Sequence, residues 1–121
     1  MDDIPFARLS DGIEPLFDEY IEKIGSILRS AAFILGPEVE AFEAEFAGWA
    51  GGSYAVGAAN GTDALIVALK ALGVGPGDKV LVPVNTFIAT SEAATSVGAE
   101  VDFIDVEDEY YTMDPAALEA Y

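Results

Sequence analysis

The 121-residue chain contains no cysteine and no histidine. Without thiols it can build no disulfide framework, no thiolate nucleophile and no zinc–thiolate centre, and without imidazole it lacks the commonest general base and metal ligand. Ser-His and Cys-His catalysis are therefore excluded within these residues. Basic residues are nearly as scarce, with five Lys and Arg against 22 Asp and Glu and a formal net charge of −17. The five are scattered as Arg8, Lys23, Arg29, Lys70 and Lys79, and nothing basic follows Lys79. A surface this acidic repels phosphate backbones and anionic headgroups, which argues against nucleic acid and membrane surfaces as partners. Long apolar runs are missing as well. No stretch approaches the ~18 uninterrupted apolar residues of a membrane span. Met1 through Leu9 carries Asp2 and Asp3 in place of the apolar core of a signal peptide. The expectation is a cytoplasmic protein.

What is present points to a folded chain. Hydrophobic residues make up 52% of the sequence, and the mean hydropathy of +0.34 rules out disorder driven by charge. The length suits one domain, which if compact would bury about two-thirds of its unfolded surface. From Ile13 to Leu28 the apolar positions Ile13, Leu16, Phe17, Tyr20, Ile21, Ile24, Ile27 and Leu28 follow helical spacing, with Asp11 as N-cap. A second helix opens at Pro37 and runs to about Ala50, ended by Gly51 and Gly52. The period then changes. Ser53–Ala58 reads as a short strand, Thr62–Leu72 as a helix apolar on nearly every side and hence covered all round, and Lys79–Val84 as a near-continuous apolar strand. A helix from about Phe87 to Ser96 leads through Gly98 to a third strand, Glu100–Asp105, and Asp114 caps a last helix. Residues 1–52 thus form a helical segment and 53–121 a βαβαβ unit, the signature of an α/β fold with parallel strands.

Ligands of α/β sheets gather at the carboxyl ends of strands, so two segments stand out. In Asn60-Gly61-Thr62-Asp63, a glycine just before a helix lets a ligand approach the backbone, and the first-turn amides are free donors. The same residues also fit an ordinary N-cap. In Asn85-Thr86-Phe87-Ile88-Ala89-Thr90, Phe87 offers a flat face to a ring-shaped ligand, although the residue type taken alone favours packing into a core. The acid-rich run Asp102, Asp105, Glu107, Asp108, Glu109 lacks the glycine and twelfth-position glutamate of a calcium loop and reads as a solvated turn. Tyr110 and Tyr111 would cover the edge of a neighbouring element.

Four stretches carry a family resemblance: Ile4–Phe6 (IPF), Gly36–Trp49 (GPEVEAFEAEFAGW), Ala58–Thr90 (AANGTDALIVALKALGVGPGDKVLVPVNTFIAT) and Gly98–Glu107 (GAEVDFIDVE). In this order and at these separations the chain resembles the DegT/StrS family of pyridoxal-phosphate-dependent sugar aminotransferases. It departs from the usual pattern at Ala31, where a glycine is typical, and at Tyr111-Thr112-Met113. The resemblance implies the N-terminal portion of a type I aminotransferase large domain and the cofactor pyridoxal 5'-phosphate. It further implies transfer of an amino group from glutamate to a keto sugar carried on a nucleotide, in a homodimer. By position it gives Gly61, Thr62 and Asp63 to the cofactor phosphate, and Phe87 to stacking on the pyridine ring.

The chemistry also requires a Schiff-base lysine and an acid beside the pyridine nitrogen. The resemblance puts both beyond Tyr121, and none of Lys23, Lys70 and Lys79 suits the lysine's role. The 121 residues are thus expected to be part of a longer enzyme, inactive and poorly folded alone, with apolar strand edges awaiting later strands. Two other readings stand beside this one. A regulatory or interaction protein could use the same scaffold without catalysis. A dinucleotide-binding domain is disfavoured, because Ala58-Ala59-Asn60-Gly61-Thr62 is not G-x-G-x-x-G.

Overall fold

The computed structural model describes residues 5–121, so Ile4 of the IPF motif lies outside the described residues. The elements, in chain order, are α1 (Ser10–Ile13), a 3-10 turn (Glu14–Leu16), α2 (Phe17–Ser30), α3 (Pro37–Ala50), α4 (Gly61–Ala71), β1 (Lys79–Pro83), α5 (Ala89–Ser96), β2 (Glu100–Ile104) and α6 (Pro115–Ala120). The described residues fall into two units, divided between Val56 and Gly57.

In the first unit the single helix expected from Ile13 to Leu28 is divided. Pro15 has no N–H to give the carbonyl of Asp11, so the backbone tightens into the 3-10 turn before α2 begins. Asp11 is not an N-cap but an α1 residue, and no side chain caps either α1 or α2. Helix α2 ends on Ala31 in the left-handed conformation, at φ 53°. A glycine adopts that conformation without cost, which gives the physical meaning of the glycine usual at this position. Helix α3 opens on Pro37, with Glu38 and Glu40 in its first turn against the positive helix end. Lys23 of α2 reaches Glu38 of α3, Nζ to Oε2, at 3.0 Å. Phe42, Phe46 and Trp49 form a ladder along α3, with ring centres 5.7 and 5.5 Å apart.

One device ends three helices. After α3, α4 and α5 a glycine takes positive φ (Gly51, Gly73 and Gly98). Its N–H bonds the carbonyl three residues back, and the next amide bonds the carbonyl five back: Gly52 to Ala47, Val74 to Leu69, Ala99 to Ala94. This is the Schellman arrangement, and it sets where each helix stops.

In the second unit β1 and β2 pair in parallel, with Lys79 opposite Glu100 and Pro83 opposite Ile104. Helix α5 connects them and packs on both strands and on α4. Its buried residues are alanines, Ala89, Ala93 and Ala94, which with Ala99, Val82 and Ile104 make the core. Small side chains let α5 lie close to the sheet and to α4 at once.

Three expectations fail here. Ser53–Ala58 forms no strand, because a strand exists only by pairing and no partner lies beside this stretch among the described residues. The sheet of the described residues is therefore two-stranded, αβαβ in order. Helix α4 is not covered all round: α5 occupies one side, and Leu65 and Val67 remain exposed. Tyr110 and Tyr111 likewise stand exposed, at 72% and 64%. Beneath them the Glu107 carboxylate binds the turn together, accepting from the amides of Glu109 at 2.7 Å and Tyr110 at 2.8 Å and from the Thr112 hydroxyl at 3.3 Å.

The accessible surface is 9793 Å². Two separate compact domains of these sizes would expose only about 7,500 Å² together.

Candidate functional site

Helix α4 begins with a closed ring of two hydrogen bonds. Asn60, in extended backbone, accepts the Asp63 amide on Oδ1 at 2.9 Å and donates from Nδ2 to Asp63 Oδ2 at 3.0 Å. The Asn60 carbonyl accepts the Ala64 amide at 3.0 Å. Of the first amides of α4, those of Asp63 and Ala64 are thereby committed. Those of Gly61 and Thr62, and the Thr62 hydroxyl, have no partner among the described residues. A methyl group built on Gly61 would meet nothing within 4 Å. The helix start therefore presents two adjacent N–H groups and a hydroxyl, at the positive end of an 11-residue helix, into open space. Such a set suits an anion. Asp63 contributes shape: its amide and its carboxylate are both turned onto Asn60.

Phe87 lies in the segment that leaves the carboxyl end of β1, two residues before α5, and is 77% exposed. The helix expected to begin at Phe87 begins at Ala89 instead, which leaves this residue in the loop. Its carbonyl accepts the Thr90 amide at 3.0 Å. On either side of it, the hydroxyls of Thr86 and Thr90 meet at 3.0 Å. Thr86 lies outside α5, so the four-residue spacing does not by itself announce the pair; the loop brings the two hydroxyls together. Packing of α4 on α5 puts both candidate segments in one unit, although no hydrogen bond joins Phe87 to Gly61, Thr62 or Asp63.

Two of the three lysines are occupied elsewhere. The Glu38 carboxylate, by hydrogen bond and charge, raises the pKa of Lys23 above the ordinary lysine value. Lys79 opens β1 at its amino end, the opposite end from Phe87, and donates to the Tyr121 hydroxyl at 2.7 Å. That hydroxyl donates in turn to Asp102 Oδ2 at 2.9 Å. Tyr121 first and then Asp102 raise Lys79; the Tyr121 hydroxyl, the Phe103 amide and Lys79 hold Asp102 below the usual carboxylate range. Lys70 lies in the last turn of α4. Among the described residues no group of three acids stands close enough to hold a metal ion, and no helix is long and apolar enough to cross a membrane.

A family model described as the DegT/DnrJ/EryC1/StrS aminotransferase family matches residues 16–121. The chain belongs to this family. One relative, the UDP-N-acetyl-3-dehydro-alpha-D-glucosamine 3-aminotransferase of Acidithiobacillus ferrooxidans, is 52% identical over 97% of the chain and 32% of its own length. Among solved structures, Streptomyces venezuelae DesV in complex with a ketimine intermediate superposes with a TM-score of 0.94 at 40% identity, over 99% of this chain and 32% of that one. Bacillus subtilis NtdA, solved with bound cofactor PMP, gives 0.86 at 28% identity, over 99% and 28% of the two chains. The α/β architecture is thus that of PLP-dependent aminotransferases. The chain spans about a third of the length of the relatives it matches.

Proposed function

We propose that these residues are the N-terminal part of an aminotransferase that uses pyridoxal 5'-phosphate to carry an amino group from glutamate to a keto sugar linked to a nucleotide. The observation that carries this reading is the likeness to DesV over 99% of the chain, at a TM-score of 0.94 and 40% identity. The identity with a UDP-sugar 3-aminotransferase supports a UDP-linked 3-keto sugar as the first substrate to try.

The donor set at α4 fits the cofactor's phosphate. Gly61 and Thr62 donate their free amides, the Thr62 hydroxyl adds a third donor, and the bare Cα of Gly61 leaves room for close approach. Asp63, through Asn60, keeps the first turn in the shape that leaves those amides free. Phe87 lays its exposed ring against one face of the pyridine and excludes water from it. When bound, pyridoxal 5'-phosphate supplies the electron sink that stabilises charge at the amino-bearing carbon. The lysine that holds it, and the acid that keeps its ring nitrogen protonated, come from outside these 121 residues. The placement of Lys79 supports this, since β1 separates it from Phe87 by roughly 15 Å of strand. With −17 net charge here, the positive groups that meet the nucleotide must also come from elsewhere. We read the working enzyme as a cytoplasmic homodimer, as the family resemblance implies.

The test is direct. The full-length protein, given pyridoxal 5'-phosphate, glutamate and a UDP-linked 3-keto sugar, should yield the 3-amino sugar by mass spectrometry. A protein that binds the cofactor and transfers nothing from any amino donor to UDP- or dTDP-linked keto sugars would end the catalytic reading.

A further inference from the structure

The loop that presents Phe87 has a feature the proposed chemistry does not itself require. Thr90, in the first turn of α5, holds both sides of Phe87: its amide bonds the Phe87 carbonyl at 3.0 Å, and its hydroxyl meets that of Thr86 at 3.0 Å. The Ile88 carbonyl that follows is held by the Ser91 hydroxyl and by the Ser91 and Glu92 amides, whereas on the strand side of Phe87 the Thr86–Thr90 pair is the one described hydrogen bond of Asn85 and Thr86, and the ring itself is 77% exposed. The flanking apolar residues Val84 and Ile88 are exposed as well, so packing does not fix the loop. A ring free to swing must be ordered when it stacks on a ligand, and that ordering subtracts from affinity. A hydrogen bond that closes the turn in advance removes part of that loss.

We infer that the Thr86–Thr90 hydroxyl pair is a positioning staple that holds Phe87 ready to stack on the cofactor ring. The inference rests on the stacking role proposed above for Phe87. Both threonines are positioning residues, acting through Phe87. Valine has the shape and β-branching of threonine without the hydroxyl, so Thr90→Val removes the staple and leaves the backbone bond to Phe87 intact. The loss of one net hydrogen bond predicts a cofactor affinity weaker by about 2- to 10-fold.

The experiment uses the full-length protein and four variants: T90V, T86V, the double variant and T90S. Pyridoxal 5'-phosphate binding is titrated, the circular dichroism induced in the bound cofactor is recorded at saturation, and thermal unfolding is followed without cofactor. The staple predicts that T90V and T86V each weaken binding and change the induced dichroism, that the double variant is no worse than either alone, and that T90S restores both readouts. Cofactor-free unfolding should stay as in the parent. Parent-like affinity and dichroism in T90V overturn the inference, as does a double variant whose losses add. Phe87→Ala, run in parallel, separates the two levels: if it leaves cofactor binding unchanged, the stacking reading itself is wrong. If it weakens binding while T90V does not, only the staple is.

Discussion

The assignment of the α4 start to an anion can be tested at Gly61. Replacing it with alanine adds one methyl group at a position where the structure offers open space, with no atom within 4 Å of the new Cβ. The backbone does not resist either, because Gly61 is absent from the residues of positive φ and is already the first helical residue. In the cofactor-free protein Gly61→Ala should therefore be neutral or stabilising by about 0.4–1 kcal/mol, since alanine loses less backbone freedom on folding. A ligand phosphate drawn onto the Gly61 and Thr62 amides would change the sign. It would have to approach the backbone where the methyl now stands, and either the methyl or the phosphate must move. Losing one of two amide contacts to a charged group costs about 1.5–3 kcal/mol, or roughly 10- to 150-fold in affinity. The assay pairs thermal unfolding of the cofactor-free full-length protein with a titration of pyridoxal 5'-phosphate. Pyridoxal, which lacks the phosphate, serves as the second ligand. The reasoning requires a variant that is no less stable, binds pyridoxal 5'-phosphate far more weakly, and binds pyridoxal as the parent does. Unchanged affinity for both ligands would refute it, because it would mean that no phosphate lies against this backbone. Equal losses for both would also refute it, by showing that the methyl disturbs the site and not the phosphate contact.

Two further outcomes follow from the local geometry. Ala31→Gly should stabilise the protein by about 0.5–1 kcal/mol, because relief of the left-handed strain at φ 53° exceeds the added freedom of the unfolded chain; a lower unfolding midpoint in urea would contradict it. The Lys79–Tyr121–Asp102 chain should give stability two limbs: the lowered Asp102 contributes above the ordinary carboxylate pKa and fades as pH falls through its depressed value, while the raised Lys79 contributes below the ordinary lysine pKa and fades as pH rises through its elevated one. Tyr121→Phe deletes the shared hydroxyl and should flatten both limbs of the unfolding-midpoint profile, most clearly at low salt because the pair is exposed; parallel profiles for parent and variant would show the chain to be inert.

The elements that were legible in the sequence are those whose ends are set by local chemistry. Pro37 and Gly51 bracket α3, Gly73 and Gly98 close α4 and α5, and Asp114 caps α6, with its side chain accepting the Ala116 amide at 2.8 Å. The parallel strands could be read from their apolar runs, and each ends one residue earlier than expected. Where the outcome depends on a neighbour, the local signal misleads. Ser53–Ala58 has the composition of a strand and no strand to pair with among the described residues. Helix α4 has the all-round apolar character of a buried helix and is packed on one side. Pro15 was legible in principle, but helical spacing on both sides of it masks the break. At the site, Asn60-Gly61-Thr62-Asp63 announces a helix start, while the division of its amides into committed and free ones depends on the Asn60 and Asp63 side chains turning onto each other, which the residue types do not dictate. The Thr86–Thr90 bond was hidden because two threonines four apart are common and carry no signal until the loop brings them together.

The distribution of side-chain size explains the surface area left over. A chain that is 52% hydrophobic and buries its own core would normally place its largest apolar groups inside. Here the order is reversed: alanines fill the core with Val82 and Ile104, while Phe33, Phe42, Trp49 and Phe103 are more than half exposed. The same holds along α2, where Phe17, Ile21, Ile24 and Leu28 keep helical spacing yet stand in solvent. Helical periodicity is meaningful only if the stripe faces something, so these stripes mark surfaces for further layers of protein. Phe87 belongs to a different category. It lies on no helical stripe, it follows the carboxyl end of a parallel strand, and hydroxyls flank it. A flat, exposed ring with a hydroxyl on either side suits a ligand that is aromatic at its centre and polar at its rim, the character of the phosphorylated pyridine proposed above.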